Sequence, residues 1–153
     1  MTIRLGHVAL YAHDRERLSA FYESLFAMQR KGKNEPRGES LLAFDSTTSH
    51  HDLSIVSNPH NVTLTFLVES LEELRALWEK VRERGIFIRG PFLQEGGICF
   101  AFPDVEGNKV EIKWMHEKDF YSYGKIDFES QSDENIKRYI EELANKGNEK
   151  SAK

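Results

Sequence analysis

The stretch Leu5–Phe26, LGHVALYAHDRERLSAFYESLF, carries two periodicities back to back. Its first half is an apolar run of strand type. Its second half places Leu18, Phe21, Tyr22, Leu25 and Phe26 at helical spacing, which predicts a helix with one apolar face. His7 sits inside the strand. A buried imidazole needs a hydrogen-bond partner or a metal ion, so the chain must supply one.

The same order of elements starts again after Asn58-Pro59-His60-Asn61. NVTLTFLVE reads as a strand, and Ser70 with Glu73 three residues on is a capping box. Leu71, Leu74, Leu77, Trp78 and Val81 then form the apolar face of a second helix, which Gly85 stops. With His7 placed over Thr63 and no gap, Leu18 falls on Leu74, Ala20 on Ala76, Phe21 on Leu77, Tyr22 on Trp78 and Glu23 on Glu79. Short strands follow each helix. SLLAFD and HDLSIVS close the first half; GIFIRGPF, GGICFAF and KVEIKW close the second, with PDVEGN as a turn. The pattern is that of two βαβββ units, about 1–58 and 59–115. RKGKNEPRGE, between the first helix and its strands, reads as a polar connection.

From 116 to 153 nothing repeats. Ser132 is placed to cap a helix with Ile136, Tyr139, Ile140 and Leu143 on one face, and NKGNEKSAK is a charged, frayed tail. The expected fold is therefore α+β: one domain over 1–115 whose paired units form a cupped mixed sheet, and a C-terminal helical extension.

With 153 residues the chain is long enough to bury a core. A net charge of −4 with both signs interspersed argues against a nucleic-acid partner. No apolar run of membrane-spanning length occurs, and no signal-type start. The lone cysteine, Cys99, lies in a strand pattern and reads as a buried, inert thiol. These features point to a cytoplasmic protein without membrane partners.

The repeat also selects candidate site residues. Thr63 is the counterpart of His7. On the last strand Val110, Ile112 and Trp114 share one face, and Glu111 points to the other with Lys109 and Lys113. Matching the unit ends with one residue's difference in the turns sets Asp52 opposite Glu111; without that gap Leu53 is the match. A histidine and two carboxylates suit a divalent ion such as Mn, Ni, Fe or Zn.

The opening stretch, the second opening VTLTFLVESLEEL and above all FPDVEGNKVEI resemble the vicinal oxygen chelate superfamily. That superfamily includes glyoxalase I, fosfomycin-resistance proteins, extradiol ring-cleaving dioxygenases and bleomycin-binding proteins. The resemblance covers roughly residues 3–115. It implies paired units around one divalent metal, with His7 and Glu111 as ligands and Asp52 as the third. Thr63 departs from the pattern, since most metal-binding members carry a histidine there and a threonine hydroxyl is a poor ligand. SHHDLSIV is similar to the segment in which extradiol enzymes keep an acid–base histidine, which carries onto His51. Strand alternation forbids His51 and Asp52 from facing the same way without a bulge; if His51 turns inward, it joins His7 and Glu111 as a ligand. His13, His50, His60 and His116 fall at element ends and read as exposed. Gln94, Glu95, Tyr121 and Tyr123 are further candidates for lining a ligand site, the two tyrosines more readily by packing onto the sheet.

The resemblance implies a metal-dependent small-molecule enzyme, with the metal polarising vicinal oxygens of the substrate. His51 or Glu111 would move a proton, as in a lyase or isomerase, or dioxygen would bind at an open metal position. The other reading is a metal-free protein that binds a drug-like ligand between paired units, which Thr63 favours. A third is a regulatory or scaffolding member that has lost its site. The resemblance also implies a homodimer, a common state in the superfamily.

Overall fold

The computed structural model describes residues 1–34, 37–47, 50–94, 96–118, 120 and 122–151. Its elements run β1 (Ile3–Tyr11), α1 (Arg15–Phe26), β2 (Gln29–Asn34), β3 (Glu39–Ala43), β4 (Leu53–Val56), β5 (Thr63–Val68), α2 (Leu71–Glu83), β6 (Arg89–Gln94), β7 (Gly97–Pro103), β8 (Lys109–Met115), β9 (Gly124–Lys125) and α3 (Asp133–Ser151). The fold is α+β with mixed strand pairing, and the element order contains βαβββ twice, as the repeat predicts.

The chain divides into two compact units, Leu5–Thr65 and Met1–Arg4 with Phe66–Lys153. In the first, the strands run β2-β3-β4-β1. β1 pairs with β4 in parallel, Val8 beside Leu53, while β3 pairs antiparallel with β2 and β4. The expected polar connection after α1 is thus in part a strand. Gln29–Asn34 has no apolar alternation to announce it; its backbone pairs with β3, with a register shift between Arg30 and Gly32. Asp14 caps α1 by accepting from the Arg17 amide at 3.0 Å. The core of this unit is Ala12, Met28, Leu42, Leu53 and Ile55, packed against Val8, Leu10, Leu18 and Tyr22. Phe21, Leu25 and Phe26 were expected on the same helical face, yet they are exposed. The apolar arc of α1 is wider than the strip its sheet can cover.

In the second unit the strands run β8-β7-β6-β9. β7 pairs antiparallel with β8, Phe100 opposite Ile112, and with β6, Cys99 opposite Phe92. β6 begins only at Arg89, so the expected strand GIFIRGPF is shorter at its start. Ser70 caps α2 through the Glu73 amide (3.1 Å), and Glu73 reaches back to the Glu69 amide (3.1 Å), as the capping box predicts. Leu71, Leu74, Trp78 and Val81 of α2 meet Ile98, Phe100, Val110, Ile112 and Trp114 of the strands. Each large side chain so buried contributes about 1.5–3 kcal/mol relative to exposure. α3 adds Ile136, Ile140 and Ala144 to this core, and Ser132 caps it through the Asn135 amide (3.3 Å). Tyr139, expected on that face, is exposed.

Arg75 of α2 fastens the segment that leads into α3. Its Nε donates to Asp133 Oδ1 (2.6 Å) and its Nη2 to the Gln131 carbonyl (2.7 Å). Its Nη1 donates to the Phe128 carbonyl, and the guanidinium lies 4.6 Å from the Phe128 ring centroid. Removing the guanidinium strands a carboxylate and two carbonyls. Arg75→Leu is expected to lower the free energy of unfolding by about 3 kcal/mol in urea titration, with the slope unchanged.

In the first unit Arg30 grips Glu23 through Nε (2.9 Å) and Nη2 (3.0 Å), and Glu16 through Nη1 (2.6 Å). The Arg30 hydrogen bonds hold the Glu23 carboxyl below its ordinary 4.5. A carboxyl depressed in the folded state stabilises above its unfolded value and loses that contribution as pH falls through the folded one. The melting temperature is expected to drop as pH is taken below 4.5, and Arg30→Ala to make that drop shallower in a pH series of thermal melts.

Candidate functional site

Within Leu5–Thr65, β1 sends Val8 and Leu10 into the core under α1 and turns His7 and Ala9 to the opposite face. β4 begins at Leu53. His51 and Asp52 therefore lie ahead of the strand, where alternation does not bind them. The His51 ring stands 4.7 Å from that of His7, the planes inclined at 48°. The Asp52 carboxylate is employed elsewhere: Oδ2 accepts from the Phe44 amide (2.8 Å), and Oδ1 lies 3.8 Å from His50 Nε2. His50 is not simply exposed, because its Nε2 donates to the Gly6 carbonyl at 3.0 Å.

The hydroxyl that meets His7 is that of Thr65 on β5. Thr65 Oγ1 lies 3.2 Å from His7 Nε2 and is fully buried, whereas Thr63 Oγ1 donates to the Asn61 carbonyl at 3.2 Å. The overlay of the two halves makes Thr63 the counterpart of His7 in the repeat; the contact with His7 is made two residues further on, from the same face of β5. Thr65 is a candidate site residue that sequence reasoning did not single out. Its cue, a polar side chain at a buried position of an apolar strand, is visible only once the strand's faces are assigned.

In the other unit, Glu111 is half-buried on β8 opposite Ala101 of β7. Lys109 and Lys113 share its face while Val110 and Ile112 enter the core. On the same face Cys99 pairs with Lys113 and with Phe92, and its Sγ donates to Gln94 Oε1 (2.9 Å). Burial first, and the nearby Glu111 carboxylate second, push the thiol up to about 12. It stays protonated at neutral pH, which makes it the inert thiol that the strand pattern suggests. His116, expected in solvent, has only 14% of its side chain exposed, with Nε2 3.2 Å from Glu141 Oε2 and Nδ1 accepting from the Lys118 amide at 3.1 Å. Tyr123 is exposed rather than packed on the sheet. Glu95 and Tyr121 lie outside the described residues.

Among the described residues no three His, Cys, Asp or Glu side chains gather in a group able to hold a divalent ion. The Asp52 carboxylate is bound to a backbone amide, and Thr63 offers a weak oxygen already turned to a carbonyl. The His7 and His51 imidazoles can donate to and accept from a polar ligand, with the Thr65 hydroxyl behind His7.

A sequence model of the family described as the Glyoxalase/Bleomycin resistance protein/Dioxygenase superfamily matches residues 4–112. No curated protein matches the chain. Solved structures similar to it include an extradiol ring-cleaving dioxygenase from B. fuscum (TM-score 0.59, 17% identity, covering 80% of this chain and 34% of that one). A catechol 2,3-dioxygenase gives 0.60 at 17% identity, covering 80% and 47%. BphC, a halotolerant catechol dioxygenase, gives 0.58 at 14%, covering 83% and 43%. The chain spans a third to about half of these longer proteins, and at such identities the likeness is one of fold.

Since Cys99 is buried and its thiol is pushed to about 12, it is expected to resist iodoacetamide at pH 8 in the native protein and to react fully in denaturant. Mass spectrometry of the intact chain reads the difference.

Proposed function

Because the chain belongs to the Glyoxalase/Bleomycin resistance protein/Dioxygenase superfamily, we propose that it binds a small polar molecule at His7 and His51, with the buried Thr65 hydroxyl holding the His7 ring, without depending on a tightly held metal. One observation carries this reading: the His7 imidazole is joined to a buried threonine hydroxyl and flanked by a second imidazole, while the carboxylate nearest in sequence is tied to the backbone. Such a centre offers donors and acceptors to adjacent oxygens of a ligand. No bond need be made or broken for that role.

A second reading is a metal-dependent enzyme of the lyase or dioxygenase kind with His7, Glu111 and either His51 or Asp52 as ligands. It draws on the 4.7 Å approach of the His7 and His51 rings, since neutral imidazole is a good donor to Mn, Ni, Fe or Zn. A bound metal would supply Lewis-acid polarisation of ligand oxygens.

The two readings part on one measurement. Protein purified without chelators is expected to carry substoichiometric metal, and its melting temperature to ignore added Mn²⁺, Ni²⁺, Fe²⁺ and Zn²⁺. An ion that bound the native state would raise it by mass action. Stoichiometric metal that vanishes in His7→Ala would establish the second reading in place of the first. With catechol and bleomycin as calorimetric probes, the double change His7→Ala, His51→Ala is expected to weaken whichever binds by at least about tenfold.

A further inference from the structure

We infer that the cavity between α2 and the segment leading into α3 is a binding site for a small organic dication, with a guanidinium at one end and an ammonium at the other. It lies wholly within Phe66–Lys153 and uses none of the residues around His7. The cavity has a volume of about 510 Å³ and is lined by Trp78, Glu79, Arg82 and Glu83 of α2 and by Phe128 and Glu129. That volume is in the range of small-molecule sites. Helical spacing puts the four α2 residues on one strip of its surface. The Trp78 and Phe128 rings meet edge to face at 5.6 Å and form an apolar corner. The core behind them fixes both, since Trp78 is 8% exposed and Phe128 4%.

The charge of the wall selects the ligand. Three carboxylates, of Glu79, Glu83 and Glu129, stand against one guanidinium, that of Arg82. Arg82 Nη1 donates to Glu129 Oε1 at 2.8 Å, so Glu129 has its counter-charge. Glu79 and Glu83 are exposed, one turn apart, and neither pairs with a cation among the described residues. Like charges at that spacing repel each other. A cation held between them turns the repulsion into attraction.

Arg82 shows what the aromatic corner accepts. Its guanidinium lies over the Trp78 ring, 5.0 Å from the centroid, while it holds Glu129. Cation–π attraction and a charge-assisted hydrogen bond thus act on one guanidinium. The side chains of Arg82 and Glu129 are 56% and 68% exposed, so their ion pair is weak and exchangeable. A ligand guanidinium takes the place of Arg82 on Trp78 and Glu129. With Arg82 turned out to solvent, Glu79 and Glu83 draw a second positive charge on the same ligand. Arg75, on the Phe128 ring, does not yield in this way, because it is tied to Asp133 and to the Phe128 and Gln131 carbonyls.

Agmatine, which joins a guanidinium to an ammonium through a butyl chain, is the probe. It is titrated into the isotope-labelled full chain, and NMR follows the indole N–H signals of Trp78 and Trp114. The Trp78 signal is expected to shift with a dissociation constant below about 1 mM, and the Trp114 signal to stay in place. Butylurea, which lacks both charges, is expected to shift neither. Glu79→Gln and Glu83→Gln are each expected to weaken binding at least about threefold. Glu106→Gln, at an exposed glutamate outside the cavity wall, is expected to leave it unchanged. Arg82→Ala is expected to tighten binding about threefold, because it removes the resident competitor. All of these side chains are exposed, so far-UV circular dichroism is expected to be unchanged throughout. A Trp78 signal that stays still up to about 10 mM agmatine overturns the inference. So does an Arg82→Ala variant that binds more weakly, since Arg82 is then part of the attraction and not its occupant. A loss in Glu106→Gln equal to that in Glu79→Gln overturns it too, because the attraction is then diffuse.

Discussion

A helix laid across a sheet covers one face and leaves the other open, and each unit of this protein has one helix inside its βαβββ run. Every strand beneath that helix must therefore divide its side chains between two destinations. On β1 the division is Val8 and Leu10 against His7 and Ala9; on β8 it is Val110, Ile112 and Trp114 against Lys109, Glu111 and Lys113. Polar chemistry collects on the uncovered faces because the covered ones are apolar cores. The candidate site residues lie there for the same reason that the helices stay docked.

Several polar groups on those faces have hydrogen-bond partners within the chain. Thr65 meets His7, Asp52 meets a backbone amide, and Cys99 meets Gln94. A protonated thiol is a poor metal donor. What a site of this fold does follows from its own groups rather than from the fold that carries them.

Much of the architecture was legible along the chain. Asp14 and Ser70 mark the starts of α1 and α2, the apolar spacing of Leu71 to Val81 marks the face of α2, and the two halves align residue for residue over their helices. β2 was not legible, because a strand held only by backbone pairing needs no apolar alternation. Nor was the exposure of Phe21, Leu25 and Phe26. Helical spacing shows that a face is apolar, but the width of the sheet beneath decides how much of it is covered.

The candidate residues divide along the same line. His7 and Glu111 could each be placed from sequence on the face of its strand turned away from the helix, by strand alternation. Whether His51 or Asp52 meets His7 depended on where β4 begins, one residue past Asp52. Which threonine meets His7 depended on how two strands lie side by side, and no overlay of the two halves contains that information. Sequence by itself determined the periodicities, the caps and the repeat, because these are local properties of consecutive residues. Only the tertiary structure decided the partners of each polar group, because a hydrogen bond across 58 positions, from His7 to Thr65, is fixed by packing and not by spacing.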